Sequence, residues 1–161
     1  MRKFITKVAL VSGGIDSVFG SYIYGETDWW VFFYSDNDKE KEAVSFFSNE
    51  FNRKLITLAF PYSLKDMNYI PFRNLLFLAI TYIEVRPRAI EFYGWNYDIM
   101  YDQRLDFVID FMKMALGYGI DLEILTPIAH TDKRKLVELG MRRFGDKMDY
   151  YFRKLAICPN S

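Results

Sequence analysis

The chain has one cysteine and one histidine among its 161 residues. A lone thiol, Cys158, cannot close a disulfide within the chain. With one imidazole beside it, the sulfur and nitrogen donors of a tetrahedral zinc site are also missing, so no zinc site is expected. Neither sign of charge is in excess: lysine plus arginine total 21, and aspartate plus glutamate total 21. No global field therefore draws the protein to nucleic acid or to an acidic membrane. The longest apolar run, Leu75 to Ile83, falls far short of a bilayer span. The opening Met1-Arg2-Lys3-Phe4 runs straight into a strand-like segment and leaves no room for a signal peptide, which predicts a cytoplasmic protein. Two phosphate signatures are absent as well, the glycine-rich loop ending in Gly-Lys-Ser/Thr and the G-x-G-x-x-G turn.

What the chain has in plenty is apolar and aromatic side chains, 51% and 19% of its residues. That composition excludes disorder, and the length predicts one domain, residues 1–161, with a proper core. Strand-like runs fall at Lys7–Val11, Trp29–Tyr34, Leu55–Phe60, Ala89–Tyr93 and Leu122–Leu125. Helical spacing lies between them: Val44, Phe47 and Phe51 form one stripe, and Phe107, Phe111 and Met114 another. Asn74 to Val85 is apolar nearly all round and predicts a helix packed on both sides. Thr131-Asp132 can cap a helix carrying Leu136 and Leu139. Strands alternating with helices predict a Rossmann-like α/β fold, three layers around a five-stranded parallel sheet. Ligands in such sheets sit at the carboxyl ends of the strands. Ser12–Ser17, Tyr34–Asp38, Gly94–Asp98 and Thr126–Lys133 all fall at those ends and can line one cleft.

The most informative segment is Ser12-Gly13-Gly14-Ile15-Asp16-Ser17, after Val8-Ala9-Leu10-Val11 and before a helical stretch. Strand, glycine turn and helix together make an anion site, because glycines admit a phosphate to the backbone and first-turn N–H groups point at it. Ser12 and Ser17 add hydroxyls without bulk. Asp16 repels phosphate unless it caps the helix or holds a metal ion. The plainer alternative is a Ser/Gly turn with a capping Asp. The segment resembles the pyrophosphate loop of the PP-loop ATP pyrophosphatases.

Three further segments sharpen that resemblance: Ile70-Pro71-Phe72-Arg73-Asn74-Leu75, Gly94 with Asp102-Gln103-Arg104-Leu105-Asp106-Phe107, and Thr126-Pro127 with Asp132-Lys133. In this order and spacing the chain resembles the 7-cyano-7-deazaguanine synthases of the PP-loop superfamily over nearly its whole length. The resemblance implies an adenine nucleotide alpha hydrolase-like fold. It also implies an ATP-dependent ligase that adenylates 7-carboxy-7-deazaguanine and uses ammonia to form the amide and then the nitrile. By the same resemblance ATP with Mg²⁺ sits on Ser12, Gly13, Gly14, Asp16 and Ser17, with Tyr34, Asn74 and Lys133 completing the nucleotide site. Mg²⁺ meets Asp16 through ATP. Lys133, Asp16 and Arg73 are the candidate catalytic residues, Lys133 as the cation that meets departing pyrophosphate. Gly94, Asn96, Asp98, Asp102 and Arg104 are the candidate contacts to the deazapurine, and Tyr34, Trp95 and Tyr101 are candidates to stack on a base.

Each residue also has a plainer role open to it: a helix cap for Asn74, an ion pair for Arg73, a solvated charge for Lys133. His130 matches no catalytic role. The chain departs from the family at Phe33-Tyr34-Ser35-Asp36-Asn37-Asp38, where a basic pair has become Asn and Asp. It also stops at Cys158-Pro159-Asn160-Ser161, where a four-cysteine zinc module would begin. These departures keep two alternatives open, an adenylating enzyme with another acceptor or one that stops at the amide, and an inert nucleotide-binding subunit. Neither nucleic acid nor a membrane is expected as a partner, and a homodimer is allowed.

Overall fold

β1 (Lys7–Leu10), β2 (Trp29–Tyr34), β3 (Lys54–Ala59), β4 (Ala89–Glu91) and β5 (Glu123–Leu125) form one sheet in the computed structural model, which describes residues 5–61, 72–94 and 100–156. All pairings are parallel, in the order β3-β2-β1-β4-β5. This is the expected Rossmann-like α/β architecture. β2 has the expected bounds, whereas β4 stops at Glu91, two residues before Tyr93, with the Phe92 amide making a last bond to the Leu125 carbonyl of β5.

The connecting helices are α1 (Ile15–Ile23), α2 (Asp38–Glu50), α3 (Arg73–Val85), α4 (Leu105–Gly117), α5 (Lys133–Phe144) and α6 (Met148–Lys154). Alternation along the strands divides the core in two. Ala9, Trp30 and Phe32 face Phe19 of α1, Phe47 of α2, Leu136 of α5 and Tyr151 of α6. Val8, Val31, Phe33 and Ile90 face Leu78 of α3 and Phe107 and Phe111 of α4. Two right-handed crossovers build outward from β1 to β3, and the next returns past β1 to β4, so the strand order reverses at β1. The crevice of this fold therefore opens over the carboxyl ends of β1 and β4.

Two expectations are corrected. α3 is not packed on both sides: Asn74, Leu78 and Thr81 are buried, while Ile83 is 59% exposed and Leu75, Leu76, Phe77 and Ile80 are half-buried. The sheet face beneath it already has α4 as its second cover, so the outer side of α3 has no layer to pack against. In α4 the inward stripe is Phe107, Val108, Phe111 and Ala115, and Met114 points outward. Met112 takes its place beside β5, where its sulfur accepts from the Ile124 amide.

A charge also lies within the sheet. Glu91 is buried in β4, where it accepts from the Glu26 amide and the Tyr93 hydroxyl and so ties down the turn after α1. A Cβ at Gly25 would stand 2.5 Å from the Glu91 carboxylate and 2.4 Å from the Ser21 carbonyl, so only glycine fits that turn. No helix among the described residues is long and apolar enough to cross a membrane.

Candidate functional site

The loop after β1 is shaped by its own hydroxyls. Val11 still pairs with the Val31 carbonyl of β2, and the next amide, Ser12, donates to Ser17 Oγ at 3.0 Å. Ser17 is buried, so its hydroxyl holds the turn, while Ser12 is exposed at the mouth.

The two glycines differ. Gly13 lies at φ +83°, and an added Cβ would stand 3.1 Å from Ala43 Cβ, 3.2 Å from the Glu40 carbonyl and 3.3 Å from Ala156 Cβ. Its own carbonyl accepts from the Ala156 amide at 2.9 Å. The fold itself demands glycine there. Gly14 has an ordinary extended backbone, φ −82° and ψ 168°, and an added Cβ would meet only Ser12 Oγ at 3.8 Å. Nothing among the described residues requires a glycine at 14. Gly14 is also the N-cap of α1, and no side chain caps that helix, which leaves first-turn amides open toward the crevice.

Asp16 stands in that first turn, and Lys133 opens α5 directly opposite. Lys133 Nζ lies 3.8 Å from Asp16 Oδ2, and the lysine side chain is 65% exposed. Burial raises the Asp16 carboxyl above its ordinary range, and Lys133 pulls it partly back. A lysine in the first turn of a helix works against the helix dipole. Asp132, the N-cap whose carboxylate accepts from the Lys135 amide at 2.8 Å, offsets that. The expected cap at Asp132 appears.

A second group gathers at the start of α3. Asn74 is buried; its amide donates to Asp102 Oδ2 at 3.2 Å and its side-chain nitrogen to the Asp102 carbonyl at 2.9 Å. Gly94 lies against them: a Cβ there would come 3.3 Å from Asn74 Nδ2 and 2.6 Å from the Phe92 ring. Asn74 is therefore not the helix cap. Phe72, at φ 61°, holds the N-cap position, and Asn74 pins the short 3-10 turn Tyr101–Gln103 to α3.

Arg73 begins α3 and acts on Glu40, in the first turn of α2 on the opposite face of the sheet. Burial pushes the Glu40 carboxyl up to about 7, against the pull of Arg73. Sequence reasoning missed Glu40, because in the run Asp38-Lys39-Glu40-Lys41-Glu42 it looks like one charge on a solvated helix face.

Other candidates have local partners. Arg104 pairs with Asp106 in the first turn of α4, Nε to Oδ1 at 3.1 Å. The Tyr101 hydroxyl donates to Asp110 and its ring packs edge-on to Phe107. Tyr34 lies beneath Lys41 Nζ, 4.7 Å from the ring centroid, with Asp38 3.4 Å from its hydroxyl. Asn37 and Asp38 open α2: Asn37 caps it by accepting from the Glu40 amide, and Asp38 supplies an acid to its first turn. His130 is exposed in the segment before α5. Asn96 and Asp98, with Trp95, Ile70, Pro71 and Cys158, lie outside the described residues. Among the described residues no three His, Cys, Asp or Glu side chains are grouped to hold a metal ion by themselves.

No family model matches the chain. It is similar to 7-cyano-7-deazaguanine synthase from two strains of Leptospira biflexa serovar Patoc, Patoc 1 / Ames and Patoc 1 / Paris. The identity is 31% over a 91-residue alignment that covers 45% of this chain and 35% of each relative. The match thus spans about a third of the length of these curated relatives.

Proposed function

We propose that the protein is an ATP-dependent carbon–nitrogen ligase of the PP-loop kind, acting on 7-carboxy-7-deazaguanine with ammonia. The observation that carries the reading is Gly14, a glycine that the fold does not require, at the uncapped start of α1. A phosphate that must reach the backbone amides supplies the missing reason for it. The partial similarity to 7-cyano-7-deazaguanine synthase supports 7-carboxy-7-deazaguanine as the acceptor.

A carboxylate resists attack because its leaving group would be oxide. Transfer of AMP to it makes a mixed anhydride that ammonia can open. In this reading Gly13, Gly14 and the first-turn amides of α1 hold the pyrophosphate, and exposed Ser12 adds a hydroxyl. The half-buried carboxylate of Asp16, only partly balanced by Lys133, has room for a second cation and fits Mg²⁺ brought by ATP. Bound there, Mg²⁺ would screen phosphate charge. Lys133 follows the charge that grows on pyrophosphate as its bond to the α-phosphate breaks. Asn74, Asp102 and Gly94 set the wall against which the acceptor lies, and Tyr34 is the candidate beside the adenine.

Mass spectrometry of products from ATP, ammonia and 7-carboxy-7-deazaguanine tests the reading, with the nitrile expected. A second reading keeps the adenylation and changes the acceptor or stops at the amide. It is favoured by Asn37 and Asp38, which here build the start of α2, and by Arg104, whose guanidinium is taken by Asp106. Amide alone supports that second reading, and release of no AMP from any carboxylate offered refutes both.

A further inference from the structure

We infer that Glu40 is the group that takes the proton from ammonia as the amide forms; this rests on the function proposed above. The placement is the reason. α2 packs on one face of the sheet and α3 on the other, yet the first turn of α2 sits against the phosphate loop. The Glu40 carbonyl would stand 3.2 Å from a Cβ on Gly13. From the far layer it is Arg73, at the start of α3, whose charge reaches the Glu40 carboxylate. Residue 40 therefore sits in the first turn after β2, its backbone against the phosphate loop, and its half-buried carboxylate feels the charge at the start of α3.

The other carboxylates of the crevice have partners. Asp16 faces Lys133, and Asp102 accepts from Asn74. Glu40 makes no side-chain hydrogen bond to any described residue. On its own helix Lys41 lies over the Tyr34 ring and Asp38 near the Tyr34 hydroxyl. Lys39 and Glu42 line a cleft against α6, whose Arg153 and Lys154 face them there. From the opposite layer Arg73 is the charge that bears on Glu40.

The chemistry needs such a group. The ammonia lone pair forms a C–N bond to the acyl carbon of the adenylate, and the carbonyl electron pair moves onto oxygen. The nitrogen now carries a positive charge and is the better leaving group unless it loses a proton. The Glu40 carboxylate takes that proton. The oxygen pair then re-forms the carbonyl, the bond to AMP breaks, and AMP departs with the electrons. Protonated Glu40 afterwards returns its proton to water. A carboxyl poised at about 7 is a stronger base than an ordinary glutamate and is still largely ionised just above neutrality.

The test separates the two half-reactions in the full-length chain. Exchange of labelled pyrophosphate into ATP, driven by 7-carboxy-7-deazaguanine without ammonia, reports adenylation. Amide formation at fixed free ammonia from pH 6 to 9 reports the second step. Glu40→Gln is expected to keep the exchange within about twofold and to lower amide formation about a hundredfold, with loss of the acid limb seen in the unmodified protein. Glu40→Asp, which keeps a carboxylate, is expected to recover part of the rate. If Glu40→Gln keeps both the rate and the acid limb, or loses the exchange equally, Glu40 has another role and the inference is overturned while the ligase reading stands. If the unmodified protein drives no exchange with this or any other carboxylate, the ligase reading fails and the inference falls with it.

Discussion

Replacing Gly14 by alanine is expected to leave the protein folded and to weaken ATP binding, whereas the same change at Gly13 is expected to damage the fold. At position 13 alanine is forced to φ +83°, a left-handed backbone that costs an L-residue about 1–2 kcal/mol. Its methyl must also displace neighbours at 3.1–3.3 Å, one of them a backbone carbonyl, which adds about 1–3 kcal/mol. At position 14 the backbone is already in a common region, so removing the freedom of glycine from the unfolded chain stabilises by about 0.4–1 kcal/mol. Alanine is a poorer N-cap than glycine by a similar amount, about 0.5–1 kcal/mol, and the two effects nearly cancel. The methyl instead occupies the side from which a phosphate reaches the amides. Loss of one or two charge-assisted hydrogen bonds there, each worth about 1.5 kcal/mol or more, lowers affinity tenfold to a hundredfold. Urea denaturation measures the first quantity and titration calorimetry with ATP and Mg²⁺ the second. A folded Gly14→Ala variant that binds ATP within about twofold of the unmodified protein would refute the argument, since the loop would then be only a turn.

Lys133→Ala is expected to slow pyrophosphate release about a hundredfold while changing ATP affinity less than about threefold, because its exposed ammonium meets charge that develops late. Equal losses in rate and calorimetric affinity would make it a ground-state anchor. Glu40→Gln is expected to stabilise the protein at pH 8 by roughly 2–3 kcal/mol and to do nothing at pH 4. The folded protein holds the Glu40 proton up to about pH 7 and the unfolded chain only to its ordinary 4.5, so stability is lost as pH rises between these values. Urea midpoints that stay parallel across this range would refute the burial argument. Asn74→Ala keeps the backbone amide bond to the Asp102 carboxylate and removes the side-chain bond to the Asp102 carbonyl, so it is expected to cost about 1–2 kcal/mol, read as a lower urea midpoint, and a neutral result would free Asn74 for ligand contact.

Much of the fold was legible along the chain, because a strand buried on both faces must be an apolar run and a helix cap must carry a short polar oxygen. β2 and the Asp132 cap came out as expected for those reasons. The turn from β1 into α1 was legible too, since strand, glycines and helix follow one another directly. The rest depends on which layer meets which. The contrast between Gly13 and Gly14 exists because α2 and Ala156 press on one glycine and leave the other open. Asn74 turned out to be a brace because residues 28 positions later return beside it, a distance no local pattern encodes. Arg104 was drawn to Asp106 two residues away, a pairing that the resemblance to a family could not show. Glu40 is the clearest case. Five charged residues in a row, 38–42, share one appearance in the sequence. Burial in the folded protein, opposed by the charge of Arg73 from α3, singles out one of them, because the free energy of a charge is set by everything packed around it.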